Sequence, residues 1–267
     1  MGLDLEGRRV LLTGATGGIG LAVARTLHRR GATVVATARR AEILEQLRSE
    51  LGDRLEPLTA DLADSAQVEA LPGRAGAVDV LVCNAALPAS GRLTDFSTAE
   101  IDRALDVNLR GPLHLARELA PEMLERGAGQ LVFVSSLSGK LASPGSALYS
   151  ATKFGLRGMA HALREDLAGT GVGVTVVYPG FIRDAGMFHE SGTKLPPWVG
   201  TRTAEQVAEA LARGIERNRL EVDVAPLSLR LSAKLGALAP AAVGSIQRRL
   251  GGEEISQTMA RGQADKR

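Results

Sequence analysis

Short, continuously apolar runs alternate along this chain with longer segments of helical spacing, and that alternation limits its possible folds more than any other feature. "RVLLTG" at 9–14, "TVVATA" at 33–38, "LEPLTADL" at 55–62, "VDVLVCNAA" at 78–86, "QLVFVSS" at 130–136, "GVTVVYPG" at 173–180 and "EVDVAP" at 221–226 read as strands. Between them, Ile19, Ala22, Val23, Thr26 and Leu27 recur at helical spacing, and Leu44, Leu47 and Leu51 share a helix face. Longer helices are predicted over 108–126 and 147–168. Ser97 with Glu100, and Thr203 with Gln206, have the spacing of capping boxes that begin helices. Strands this rich in Val, Leu and Ile are buried on both faces, which calls for a parallel sheet with helices on each side. No repeat or linker interrupts the pattern, so a single α/β domain over 1–250 is expected, followed by a polar tail over 251–267 that is loose at its end.

The first strand runs into "TGATGGIG" at 13–20. Glycine costs backbone entropy, so this density has a use where the chain bends tightly or something approaches it closely. At a strand-to-helix turn the helix N–H groups and dipole favour an anion. Gly14 suits the tight turn, Gly18 the approach of a pyrophosphate, and Gly20 close packing of helix on sheet. The spacing is G-x-x-x-G-x-G, and taken alone a plain tight turn explains it as well.

Further motifs follow in order: "ADL" at 60–62, "CNAA" at 83–86, "DVN" at 106–108, "VSS" at 134–136, "YSATK" at 149–153 and "PG" at 179–180. With "TGATGGIG" they resemble the short-chain dehydrogenase/reductase family in order and spacing, from about residue 7 to 225. The resemblance implies a Rossmann-type doubly wound sheet of about seven strands and an NAD(P)-dependent oxidoreductase. It also implies a catalytic tetrad of Asn108, Ser136, Tyr149 and Lys153. Tyr149 and Lys153 are four apart and share one helix face. A free tyrosine titrates near pH 10, and a nearby ammonium is expected to lower it, so that Tyr149 exchanges a proton with a carbonyl or alcohol. Ser136 would hydrogen-bond the substrate oxygen, and Asn108 would help hold a relay water beside Lys153.

By the same resemblance the cofactor contacts are Gly14, Thr16, Gly18, Ile19, Gly20, Asp61, Leu62, Asn84, Ala85, Tyr149, Lys153, Pro179, Gly180 and Ile182, with Asn84 bracing the sheet. Strand two ends in "ATARR": Ala38 stands where an NAD site places an acid, and Arg39 and Arg40 follow. Guanidinium forks match phosphate oxygens, so NADP(H) is expected over NAD(H), with Arg39 the main contact to the 2′-phosphate. "CNAA" departs from the family's usual "NNAG", and Asp184 replaces its usual Thr after "PG", where it is expected to accept from the nicotinamide amide.

The segment 181–202 is too long for a connector, and in the family it covers the substrate. It carries Phe181, Phe188 and Trp198, three of the chain's eight aromatic residues, beside Met187. With Leu137 these favour an apolar pocket and an apolar carbonyl or alcohol. Residues 227–250 extend past the family core as amphipathic helices broken near Pro240, expected to close over the active site or form a subunit contact rather than rest on a membrane. Family members commonly form dimers or tetramers through the helices at 108–126 and 147–168. Epimerase or dehydratase chemistry, and a catalytically silent dinucleotide-binding protein, are the alternatives.

Composition removes other classes. The 267 residues carry a net charge of +2, which gives no field to attract nucleic acid. The four histidines are scattered without metal-ligand spacing, so no metal is expected. The single cysteine, Cys83, excludes an internal disulfide. No stretch has about 18 consecutive apolar residues, and the N-terminal acids do not suit a signal peptide, so a cytoplasmic protein is expected. There is no G-x-S-x-G elbow for a serine hydrolase.

Overall fold

The computed structural model describes residues 2–196, 199–249 and 252–263. The apolar runs form seven strands, all parallel: β1 (Arg9–Thr13), β2 (Thr33–Ala38), β3 (Leu55–Thr59), β4 (Val80–Cys83), β5 (Gly129–Val134), β6 (Val172–Pro179) and β7 (Glu221–Val224). Their order is β3-β2-β1-β4-β5-β6-β7, a doubly wound Rossmann-type sheet in one domain. The switch point lies between β1 and β4, where ligands of such sheets sit at the carboxyl ends of the strands.

The strand period of two divides the core. Val10, Leu12, Val34, Ala36, Val80, Val82 and Val132 face one layer, containing α1 (Gly18–Arg29), α2 (Ala41–Leu51) and α8 (Ala204–Glu216). Leu11, Val35, Leu81, Leu131, Phe133, Val174 and Val176 face the other, containing α3 (Ser65–Ala75), α5 (Gly111–Arg126) and α6 (Ala147–Asp166). Burial of each large aliphatic side chain contributes roughly 1.5–3 kcal/mol, so both faces must be covered. The helix α3 has little helical periodicity, contains Pro72, and was not legible in the sequence; Asp64 caps it by accepting from Ala66 and Gln67. Both expected capping boxes form, at α4 (Thr98–Leu105) and α8.

Two boundaries differ from the sequence reading in ways that matter. The helix expected from 108 begins as a π-turn over Asp106–Arg110, and α5 proper starts at Gly111. After α7 (Gly186–Glu190), α8 and β7, the chain forms α9 (Leu227–Leu238) and α10 (Pro240–Arg249), broken at Pro240 as its missing N–H dictates. Within the polar tail, Gly252–Gly262 is a helix, α11, and Ala260 and Gln263 are buried; 264–267 lie outside the described residues. Among the described residues, no helix is long and apolar enough to cross a membrane.

The outer strand β7 is fastened by two carboxylates, Glu221 and Asp223, the latter accepting from Lys140 Nζ (2.5 Å). Glu221 accepts from Lys140 Nζ (2.9 Å), Arg157 Nε (3.0 Å) and Tyr178 Oη (3.0 Å), and contacts His161 Nε2 (2.8 Å). Burial pushes its carboxyl up, but the hydrogen bonds from Lys140 and His161 outweigh this and hold it at about 2. The folded protein thus keeps this carboxylate ionised where the unfolded chain, near 4.5, takes a proton. Its stabilisation is present above that value and is lost as pH falls toward 2. Glu221→Gln is therefore expected to lower the melting temperature at neutral pH, with the gap to wild type closing between pH 4.5 and 2 in thermal scans.

Candidate active site

At the carboxyl end of β1 the chain turns through Gly14 with φ of +67°, a left-handed conformation that glycine adopts without strain. A Cβ on Gly14 would lie 2.7 Å from Ala85 Cα, and one on Gly20 would lie 2.0 Å from the Gly14 carbonyl oxygen. Gly14 thus admits the β4 loop, and Gly20 seats α1 on the turn. Asn84 Nδ2 donates to the carbonyls of Thr13 and Gly14 (both 3.1 Å), which fixes the turn against β4. The helix α1 begins at Gly18 with no side-chain cap and no acid in its first turn, so its N-terminal dipole is uncompensated.

Gly18 has a packing use that its spacing did not show. A Cβ there would meet Ala185 Cβ at 2.3 Å, so its smallness admits the substrate-side segment against the turn. Gly186 follows with φ of +74°, and a Cβ on it would come within 3.9 Å of Ile19 Cδ1.

Beyond β2, Ala38 is buried, and both Arg39 and Arg40 are exposed. Arg40 folds back, its Nη2 donating to the Thr16 carbonyl (2.6 Å) and to Thr16 Oγ1 (3.2 Å). A guanidinium therefore lies beside the glycine turn although residue 16 is not basic. Beyond β3, Asp61 Oδ1 accepts from Ala63 N (3.0 Å), and Leu62 is buried. Pro179 ends β6, and Gly180 N donates to the Val224 carbonyl (3.0 Å).

Ser136, Tyr149 and Lys153 come together where β5 meets α6, and Asn108 lies in the neighbouring π-turn. Asn108 is fully buried, and both ends of its amide are used on one residue: Oδ1 accepts from Leu87 N (2.7 Å) and Nδ2 donates to Leu87 O (2.9 Å). The π-turn sets this inward aim, and such turns are frequent at functional sites. Lys153 is buried, its Nζ donating to the Val134 carbonyl (3.0 Å) and lying 5.5 Å from the centre of the Tyr149 ring. Ser136 caps the short turn after β5 by accepting from Ser138 N (3.1 Å), and its side chain hydrogen-bonds the Tyr149 hydroxyl.

The electrostatics correct one expectation. Burial pushes Tyr149 up to about 12, and the Ser136 hydrogen bond only partly offsets this; the expected net lowering is absent in the protein alone. Burial pulls Lys153 down to about 8 against the opposing influence of Cys83, whose own thiol is pushed up by burial. Burying a charge is costly unless it is paired, and here one ammonium has a single carbonyl partner.

Residues missed by sequence reasoning support this centre. Ser135 Oγ donates to the Lys153 carbonyl (2.9 Å), and a Cβ on Gly139 would lie 2.6 Å from that same carbonyl oxygen. The glycine in "SSLSG" was the available signal for that close approach.

The segment 181–202 closes on itself: Arg202 N donates to Phe181 O (2.9 Å), Arg183 N to Arg202 O (3.0 Å), and Ile182 is buried at the bridge. Phe181 and Phe188 pack with ring centres 5.0 Å apart, Met187 is half-buried between solvent and core, and Leu137 packs against the core beside Gly180. Trp198 lies outside the described residues. Asp184 has a structural use as well: its Oδ1 accepts from Ala204 N (3.1 Å) at the start of α8. The helix α11 lies over this segment: Gln263 Nε2 donates to Met187 O (3.1 Å), a Cβ on Gly262 would lie 2.3 Å from Ser191 O, and one on Gly145 would lie 2.3 Å from Ser256 Oγ. No sequence pattern announced these contacts.

This arrangement joins an anion-binding turn to a buried lysine, tyrosine and serine at the switch point of a parallel sheet. The family model for short chain dehydrogenase matches residues 8–196, and the chain belongs to the short-chain dehydrogenase/reductase family of NAD(P)-dependent oxidoreductases acting on CH–OH and C=O groups. A ketoacyl reductase, HetN, of a Nostoc species is 34% identical over 268 aligned positions, covering 96% of this chain and 93% of its own. A short-chain dehydrogenase of Sphingobium yanoikuyae, solved with NADPH, superposes with a TM-score of 0.76 at 28% identity, covering 89% of this chain and 94% of that one. A Burkholderia phymatum family member solved with NAD shares the fold with a TM-score of 0.78 at 24% identity, covering 90% and 96%.

The Lys153 shift has a signed consequence for stability. Below pH 8 both folded and unfolded states hold the proton, and the folded state bears the full cost of the buried ammonium. Between 8 and 10.5 the folded state sheds the proton while the unfolded chain keeps it, so the cost fades as pH rises. In urea unfolding of the cofactor-free protein, stability relative to Lys153→Met is expected to move in favour of wild type across this interval.

Proposed function

We propose that the protein is an NADPH-dependent reductase of a ketone on an apolar molecule, running reversibly as an alcohol dehydrogenase. The observation that carries this reading is the Tyr149 hydroxyl bonded to Ser136, with the buried Lys153 beneath its ring. When bound, the dinucleotide supplies the hydride, and the protein supplies orientation and proton transfer. Burial keeps Tyr149 in its acid form at neutral pH, so it has a proton to give to the carbonyl oxygen. Ser136 donates a hydrogen bond to the same oxygen as charge develops there. The Lys153 ammonium favours the tyrosinate left behind, and Asn108 is a positioning residue that ties the Leu87 loop to the π-turn.

The residues fit an anionic dinucleotide. The backbone of the Gly14–Gly20 turn and the bare start of α1 suit its diphosphate. Asp61 and Leu62 stand at the adenine end; Pro179, Gly180 and Ile182 stand at the other. The absence of an acid at Ala38 and the presence of two arginines favour NADP(H) over NAD(H). Arg40 sits at the turn and Arg39 is exposed with no partner among the described residues, so both are assigned to the 2′-phosphate.

Leu137, Phe181, Met187 and Phe188 support an apolar substrate, and the ketoacyl reductase name of the Nostoc relative points to 3-oxoacyl thioesters as the first class to assay. Exposed Leu113 and Leu124 on α5 and Phe154 on α6 support self-association through those helices.

With a medium-chain 3-oxoacyl thioester and NADPH, Tyr149→Phe is expected to lower kcat by about a hundredfold or more while leaving NADPH affinity within about twofold. Turnover surviving this change would overturn the proton-transfer assignment. Calorimetric titration of Arg40→Ala is expected to weaken NADPH binding roughly tenfold or more and leave NADH binding little changed. Equal losses for both dinucleotides would contradict the assignment to the 2′-phosphate.

A further inference from the structure

The helix α9 is built the reverse of a surface helix. Its small residues, Ala233 and Gly236, face the protein, and the contact is tight: a Cβ on Gly236 would lie 2.3 Å from Leu141 Cδ1. Four of its five leucines face out, Leu229 being half-buried. Leu227, Leu231, Leu235 and Leu238 are 76%, 54%, 50% and 85% exposed, and their spacing of four, four and three places them on one stripe. The corner into α10 extends this surface, because Ala237, Leu238, Ala239, Pro240, Ala241 and Ala242 are all exposed. Single exposed leucines need no explanation, but a continuous apolar patch of this kind marks a contact surface.

The charges of α9 and α10 themselves are of one sign, while Asp223 of β7 lies beside Arg230. From 227 to 249 the chain carries Arg230, Lys234, Arg248 and Arg249 and no acid. Arg230 flanks the stripe with its Nε 3.8 Å from Asp223, and Lys234 flanks it exposed. A second copy applied to this stripe would bring cation against cation. An anionic lipid surface supplies the opposite charge and an apolar layer for the leucines, which is how helices lying in the membrane plane bind.

We propose that α9 and the start of α10 dock the protein, in the plane of the bilayer, on a membrane containing anionic lipid. This role replaces the expected closure of 227–250 over the active site or its use as a subunit contact; Gly262 and the following Gln263 pack on Ser191 and Met187. The surface adjoins the substrate side, because α9 packs on Leu141, just beyond the Ser136 turn, and Pro226 packs under Gly200 at the end of the 181–202 segment. A substrate dissolved in the bilayer would then have a short path to the site. The docking stands on its own observations, whatever the substrate.

The test is sedimentation of the full-length protein with phosphatidylcholine vesicles in which about one-third of the lipid is phosphatidylglycerol, against vesicles of phosphatidylcholine alone. The account expects binding to the anionic vesicles, weakened by salt, and reduced about tenfold or more in Leu231→Glu with Leu235→Glu. Lys234→Glu is expected to weaken it less. All three positions are exposed, so circular dichroism and NADPH affinity should match wild type, which separates lost docking from lost folding. Three outcomes would overturn the proposal: no binding to the anionic vesicles, equal binding of wild type and the leucine double variant, or loss in that variant of self-association rather than of vesicle binding.

Discussion

The bond from the Lys153 ammonium to the Val134 carbonyl is the constraint on which the rest of the site depends. It puts a buried cation at the end of the strand that also carries Ser135 and Ser136. Ser135 reinforces it by donating to the Lys153 backbone carbonyl, and Gly139 leaves the space in which α6 approaches that closely. One helical turn before Lys153, Tyr149 is then aimed at Ser136, its own carbonyl accepting from Thr152 Oγ1 (2.8 Å). The burial that holds this geometry also sets the protonation states, raising the phenol and lowering the amine. A site that drives the two pKa values apart in this way keeps the phenol as the acid, and groups perturbed by burial and by each other cluster at functional sites.

Much of this was legible in the sequence because it depends on local patterning. Strands buried on both faces must be continuous in Val, Leu and Ile, and α6 must place residues four apart on one face. The glycine turn was legible for the same reason, although only the structure separates Gly14 and Gly20, which hold the turn, from Gly18, which admits Ala185. The sign of the Tyr149 shift was not legible: spacing shows that a lysine is near, and burial, which decides the sign, is a property of the whole fold.

Contacts between distant segments were the least legible. Arg40 reaches Thr16, Asp184 caps α8, and Gln263 reaches Met187, in each case through a polar side chain in a segment without strong periodicity. The helix α3, with Pro72 within it, and α11, within the segment read as a polar tail, were hidden for a related reason. The direction of the α9 leucines followed from the partner of Gly236, which no sequence window contains. The C-terminal region divides its work, α11 packing on the 181–202 segment and α9 turning four of its leucines outward.

The central claim is that the protein by itself holds Tyr149 protonated well above the ordinary range. The chain has only two tyrosines, and burial pushes Tyr178 up as well, so a spectrophotometric titration has little background. The decisive measurement is phenolate absorbance of the cofactor-free protein and of Tyr149→Phe between pH 9 and about 10.5, where an ordinary tyrosine passes its midpoint, with circular dichroism confirming the fold. The account predicts indistinguishable curves with almost no phenolate in either. A wild-type midpoint at or below pH 10 that disappears in Tyr149→Phe would contradict it.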